Sequence, residues 1–192
     1  SPSDIAFIQD NDCDGIDLAV RRNENPIAQN GCSSPSPFEQ RAVAEFDLSS
    51  LAGATIGSAS FILSNGGVVG DEEVIDLYAY IGDNQVTTDD WTRTDVPLGS
   101  VDVTAILDPI PVDVTTVAQS DAGGSLGFLV VDDPASPFGA LGLEPTGVEL
   151  RVTIDDPPTI SCPTEPYSVV IGPGGNIMIT PEGAGLTAND DI

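Results

Sequence analysis

The chain of 192 residues contains no histidine and no lysine. Without histidine, Ser-His-Asp and Cys-His chemistry is excluded and the commonest metal-binding side chain is missing. Without lysine, Schiff-base and P-loop chemistry is excluded as well. Positive charge is scarce: five arginines (Arg21, Arg22, Arg41, Arg93, Arg151) stand against 31 Asp and Glu, for a formal charge of −26. Such a surface repels phosphate backbones and anionic membranes, so neither nucleic acid nor a lipid surface is an expected partner. No run approaches the roughly 18 apolar residues of a membrane-spanning helix, and no membrane insertion is expected. Aromatic residues make up only 5% of the chain, too few for a broad stacking platform.

What is present is apolar residues in short alternating runs, set between glycines and prolines (20 and 16 of them). Ala42, Ala44, Phe46 and Leu48 alternate with Val43, Glu45 and Asp47. Similar runs cover 59–63, 75–81, 101–103, 126–130 and 148–154. Successive strand side chains point to opposite faces, so each run predicts a strand with one buried and one wet face. Many short strands with turn signals between them predict an all-β fold, a jelly-roll-type β-sandwich. Helix is expected only as a turn near Asp89–Trp91 and another near Thr115–Gln119. Asp155-Asp156-Pro157-Pro158 stops strand pairing. It places a boundary between a sandwich domain, 1–156, and a Pro-rich linker with a tail, 157–192. The tail is too short for a core of its own. Its pattern predicts a hairpin or two extended strands, one carrying Val169 and Ile171 and the other Ile177 and Ile179, around Gly172-Pro173-Gly174-Gly175.

Three cysteines, a single methionine and an N-terminus reading Ser1-Pro2-Ser3 fit a processed, exported chain, extracellular or at the cell surface. Cys13 and Cys32 flank one loop-like segment and are either a disulfide or two thiols. Cys162 is left over, free or paired with another chain.

The sharpest local motif is Asp10-Asn11-Asp12-Cys13-Asp14-Gly15-Ile16-Asp17. Its D-x-D-x-D-G spacing puts carboxylates around one point and lets glycine make the sharp turn, as in calcium loops. The pattern departs from an EF-hand, with Leu18 at the ninth position and Arg21 at the twelfth; Asp17 is the candidate later ligand. Asp10, Asp12, Asp14 and Asp17 are therefore the candidate metal ligands, against the alternative of an acidic surface loop. Hard oxygen donors without histidine favour Ca²⁺ over zinc. Acid pairs recur at strand ends and loops elsewhere; most read as solvated, with Asp89-Asp90 and Asp132-Asp133 as secondary calcium candidates. No pair stands out as a glycosidase couple, and the chain is not expected to be an enzyme. Trp91, Tyr78, Tyr80 and Tyr167 are the candidate sugar-stacking rings, Trp91 foremost because it sits in an acidic loop, with the alternative that Trp91 plugs one end of the sandwich.

Residues 41–63, RAVAEFDLSSLAGATIGSASFIL, resemble the opening block "R…RFDLSSLPAGATITSATLRL" of DNRLRE-type domains, which are related to an extracellular carbohydrate-binding module family. Tyr80–Trp91 is similar to the "G-D-G-x-V-T-x-x-D-W/F" loop of that family, Val112–Val117 to its "DVT" segment, Gly127-Phe128 to its "GF" strand and Val148–Ile154 to its closing strand. The family's proline before Ala-Gly-Ala-Thr is absent, since Leu51 directly precedes Ala52. The resemblance spans residues 4–154 and implies a jelly-roll sandwich of a secreted adhesive, structural or polysaccharide-binding protein. The tail, with Pro157–Pro163, Gly174–Glu182 and Thr187–Ile192, resembles the first half of an HYR-like, Ig-type repeat. This implies strands lacking their usual neighbours. Two readings follow. One is a self-assembling structural or adhesive subunit, whose tail pairs with copies of itself or with neighbouring Ig-like repeats. The alternative is a calcium-dependent carbohydrate-binding module whose partner is a polysaccharide.

Overall fold

The alternating runs become strands in a computed structural model that describes residues 1–22, 27–32, 37–69, 74–103, 109–132, 140–143, 145–155, 159–161 and 187–189. In chain order the strands are β1 (Asp4–Asp10), β2 (Ala19–Arg21), β3 (Ile27–Asn30), β4 (Glu39–Asp47), β5 (Ile56–Leu63), β6 (Asn65–Val69), β7 (Val74–Ile81), β8 (Val96–Asp102), β9 (Ile110–Asp113), β10 (Ser125–Asp132), β11 (Ala140–Leu143), β12 (Glu149–Ile154), β13 (Thr159–Ser161) and β14 (Thr187–Asn189). A 3-10 turn at Thr88–Thr92 and one short helix, α1 (Thr115–Ser120), fall where helical turns were expected. The chain divides into two compact units, Ser1–Ile154 and Asp155–Ile192.

The first unit is an all-β sandwich with antiparallel pairing throughout. Its larger layer runs β2-β1-β4-β10-β7-β8, and β3 branches from the end of β4 toward β11 and β6. The smaller layer runs β12-β5-β9. β5 and β6 are separated only by Ser64, and they pair with β12 and β11 respectively. The two pairs thus form one long ribbon, interrupted on the second strand by a turn at Pro145–Gly147.

Strand periodicity explains how the layers meet. Ala42, Ala44 and Phe46 of β4, Ile75, Leu77 and Ala79 of β7, and Leu126, Phe128 and Val130 of β10 share one face. They pack with Ile56, Ala59, Phe61 and Leu63 of β5 in the main core. Phe61 stacks on Phe128 at 4.1 Å between centroids, and Phe46 meets both rings edge-on at 6.1 and 5.8 Å. Such ring pairs add about 0.5–1.5 kcal/mol each beyond the area they bury.

The opposite face of the large layer corrects the expectation of a wet side. Val43, Tyr80 and Leu129 sit in a second buried cluster with Ala6, Ile8, Val86 and Trp91. Ala6 and Ile8 of β1 extend the same face, and Val86 and Trp91 of residues 82–92 cover it, so β4 and β10 are buried on both faces. Gly127, opposite both Glu45 and Tyr80 in register, makes this possible: a Cβ there would run into the Tyr80 ring. The terminal strands β8 and β9 carry Pro97 and Pro111, and β8 is further bent by a register shift opposite Leu77–Tyr78 and by Gly99 at φ +109°.

In the second unit the backbone of β13 pairs with β14, Thr159 opposite Asn189 and Ser161 opposite Thr187. A two-strand pairing is present, formed by segments outside the two expected strands. Tyr167, Val169, Ile171, Ile177, Ile179 and Cys162 lie outside the described residues.

Candidate metal centre

β1 delivers Asp10 as its last residue, and β2 returns along β1 with Gln9 opposite Ala19. The connection between them, residues 11–18, is organised by the Asp10 carboxylate, which is 1% exposed. Its Oδ1 accepts the amides of Asp12 (3.1 Å) and Cys13 (2.9 Å), and its Oδ2 accepts that of Gly15 (2.6 Å). Asp12 and Asp14 each accept the amide two residues on, from Asp14 (3.4 Å) and Ile16 (2.8 Å). These successive short turns coil the loop inward. Gly15 sits at φ +76°, a left-handed conformation that glycine adopts at no steric cost. Cys13, also left-handed at φ +62°, points away to a disulfide with Cys32, at a Cα–Cα distance of 5.8 Å. Of the two alternatives for this cysteine pair, the bonded one is observed.

The result is a cluster in which one carboxylate oxygen from each of Asp10, Asp12 and Asp14 lies within 4.8 Å of the others. Asp17 is exposed and is not part of this cluster. Burial pushes Asp10 upward, but the amides of Asp12, Gly15 and Cys13 more than offset this and hold it below the usual carboxylate value. Asp12 is raised, chiefly by its proximity to the Asp10 carboxyl. Three acids converging on one point repel one another, and a cation bound between them relieves that repulsion. The cluster could hold a metal ion through hard oxygen donors.

Trp91 lies in the second buried cluster and is 5% exposed. The Arg41 guanidinium covers its ring at 4.0 Å from the centroid and donates to the Trp91 carbonyl. A ring with a buried edge and a covered face cannot stack on a sugar, so the stacking role expected of Trp91 is withdrawn. Nor does Trp91 plug an end of the sandwich: it packs on the outer face of the large layer.

Three acids expected on wet faces or as secondary calcium candidates are buried and engaged within the protein. Asp90 accepts the Thr87 amide at 2.7 Å in a capping box, and Asp132 accepts the Asn30 amide at 2.7 Å. Glu45, placed by alternation on a wet face, is fully buried and accepts the Tyr80 hydroxyl (3.0 Å) and the amides of Asp83 (3.0 Å) and Gln85 (2.9 Å). The available signal was Gly127, which interrupts an apolar strand where something must approach closely. No helix among the described residues is long and apolar enough to cross a membrane. No protein-family model matches the chain, and no curated protein matches it in sequence.

Proposed function

We propose that the chain is an extracellular structural or adhesive protein, a non-enzymatic sandwich subunit that assembles with copies of itself through residues 157–192 and binds Ca²⁺ at Asp10, Asp12 and Asp14. The observation that carries this reading is the coupling of disulfide and acidic loop. Cys13 lies between two candidate ligands and is tied to Cys32. Such a bond persists in oxidising surroundings outside the cell, where calcium is plentiful enough for weak oxygen-only sites. The resemblance to DNRLRE-type domains and to an HYR-like repeat supports the same setting. With a charge of −26, subunits repel one another until a divalent cation or ordered contacts offset the repulsion. The alternating apolar residues Val169, Ile171, Ile177 and Ile179 suit pairing with a sheet edge of a neighbour, a head-to-tail contact that builds open filaments. The carbohydrate-binding alternative loses its main candidate contact with the burial of Trp91.

The test is assembly of the full chain, followed by light scattering and electron microscopy in calcium and in EDTA. Ile177→Asp with Ile179→Asp should abolish assembly, and EDTA should weaken it. Unchanged assembly in the double variant removes the tail from the account.

A further inference from the structure

A chain without histidine lacks the side chain that ordinarily changes charge between about pH 5 and 8. The fold nevertheless buries carboxyl groups beneath one surface strap. Residues 82–93 cross the outer face of the large layer and contribute Val86 and Trp91 to the cluster with Ala6, Ile8, Val43, Tyr80 and Leu129. Besides these two side chains, much of the strap's backbone is hydrogen-bonded to the layer beneath. Glu45 accepts the amides of Asp83 and Gln85, Asp4 accepts that of Val86 at 2.9 Å, and the Ser125 hydroxyl accepts that of Asn84 at 3.1 Å. Arg22 donates to the carbonyl of Val86, Arg41 to that of Trp91, and Arg93 to that of Ile81 just before the strap.

Under this strap Glu45 and Asp90 are two buried acids, and the Tyr80 phenol interacts with both. Tyr80 projects from β7 and donates to Glu45 at 3.0 Å. Asp83 and Asp90 face Glu45 from the strap, and Asp4 lies opposite it in register on β1. From β10, Gly127 and Ser125 bring no charge. The nearest cations are engaged elsewhere. Arg93 lies over the Tyr80 ring at 4.7 Å and pairs with Asp95, while Arg22 pairs with Asp4. Among the described residues no salt bridge reaches Glu45 or Asp90. Burial first, and then repulsion from neighbouring acids, raises both carboxyls, and the Tyr80 hydroxyl is raised as well.

We propose that residues 82–93 form a proton-set latch: a proton held among Glu45, Tyr80 and Asp90 keeps the strap closed, and its loss to water at higher pH loosens the strap and bares the apolar face beneath. The direction follows from linkage. Leaving a second negative charge beneath the strap costs free energy only while the strap stays closed, so deprotonation favours the open form.

The experiment uses the intact chain at fixed calcium from pH 5 to 8. Amide hydrogen exchange, corrected for the intrinsic rate, is read for peptides covering 82–93 against peptides covering 125–132. Emission of Trp91, the only tryptophan, is read in parallel. Protection over 82–93 should be lost and Trp91 emission should move to the red as pH rises, while the 125–132 peptides hold steady. Glu45→Gln should flatten both responses. Tyr80→Phe keeps the ring over Gly127 but removes a donor that favours the ionised carboxylate, so it should move the transition to higher pH. It also serves if Glu45→Gln does not fold. A strap and an emission spectrum indifferent to pH, an undiminished response in Glu45→Gln, or an unmoved midpoint in Tyr80→Phe overturns the latch.

Discussion

Replacing both Cys13 and Cys32 by serine should cost the first unit about 3 kcal/mol. The bond joins positions separated by 19 residues, and the chain-entropy expression for a loop of that length gives about 11 cal/mol/K, or ~3 kcal/mol at 25 °C. The constraint acts on the unfolded chain, where it ties the β1–β2 connection to the end of β3. In the folded state those segments are also held through β4, with Asp10 opposite Glu39 and Asn30 opposite the same residue. The serine variant should therefore keep its fold and lose stability only. For a unit of this size each kcal/mol moves the melting temperature by about 2–4 °C, so a fall of about 6–12 °C is expected by calorimetry. Urea unfolding should show a lower midpoint with a slightly larger slope, because the uncrosslinked chain exposes more surface. Adding reductant should lower the parent melting temperature and leave the variant unchanged. A fall of less than about 2 °C, below what a single kcal/mol produces, would refute the argument that this bond restrains the unfolded chain.

Saturating calcium should raise the melting temperature of the parent, by about 2.7 kcal/mol of stabilisation at a hundredfold excess over the dissociation constant. Asp12→Asn with Asp14→Asn should abolish that rise in calorimetry, and EDTA should reverse it. Phe61→Ala should cost about 3–5 kcal/mol in urea titrations, because it removes a ring that contacts both Phe46 and Phe128. Stability should also depend on pH in two opposite senses. The raised Glu45 and Asp90 contribute fully below the unfolded carboxylate value of about 4 and lose their contribution as pH rises through their folded values. Desolvation pushes Asp4 up, but bonds from Arg22 and the Val86 amide hold it low. Asp4 and Asp10 thus contribute above that same value and lose their contribution as pH falls through theirs. Urea midpoints should therefore rise from pH 8 into mild acid and drop again in strong acid; a midpoint that climbs steadily toward pH 8 contradicts the burial of Glu45.

The sandwich was legible because its strands obey a two-residue period: the expected runs at 42–48, 59–63, 75–81, 126–130 and 148–154 all lie largely within β4, β5, β7, β10 and β12. β1 was not anticipated, although it pairs along β4 from Asp4 to Asp10. Its sequence, Asp-Ile-Ala-Phe-Ile-Gln-Asp, carries Ala6, Phe7 and Ile8 in succession, and all three are buried. A strand covered on both faces loses the alternation by which strands are read. The same cause hid the strap and misplaced Glu45 and Trp91, since period two assigns a face but does not say what a distant loop lays upon it. The acidic loop was legible because its ligands are local: Asp10, Asp12 and Asp14 converge through hydrogen bonds spanning two to five residues.

The prolines of the terminal strands bear on what happens when many copies crowd together. Pro97 faces Tyr78 across β7–β8, and Pro111 faces Ile62 across β5–β9. Each removes an amide that an incoming strand would need, and Gly99 bends the β8 margin out of line. These two margins are thus poor templates for the stacked cross-β pairing that turns concentrated β-proteins into amyloid. A dense population can stay folded without annealing side by side at these two margins.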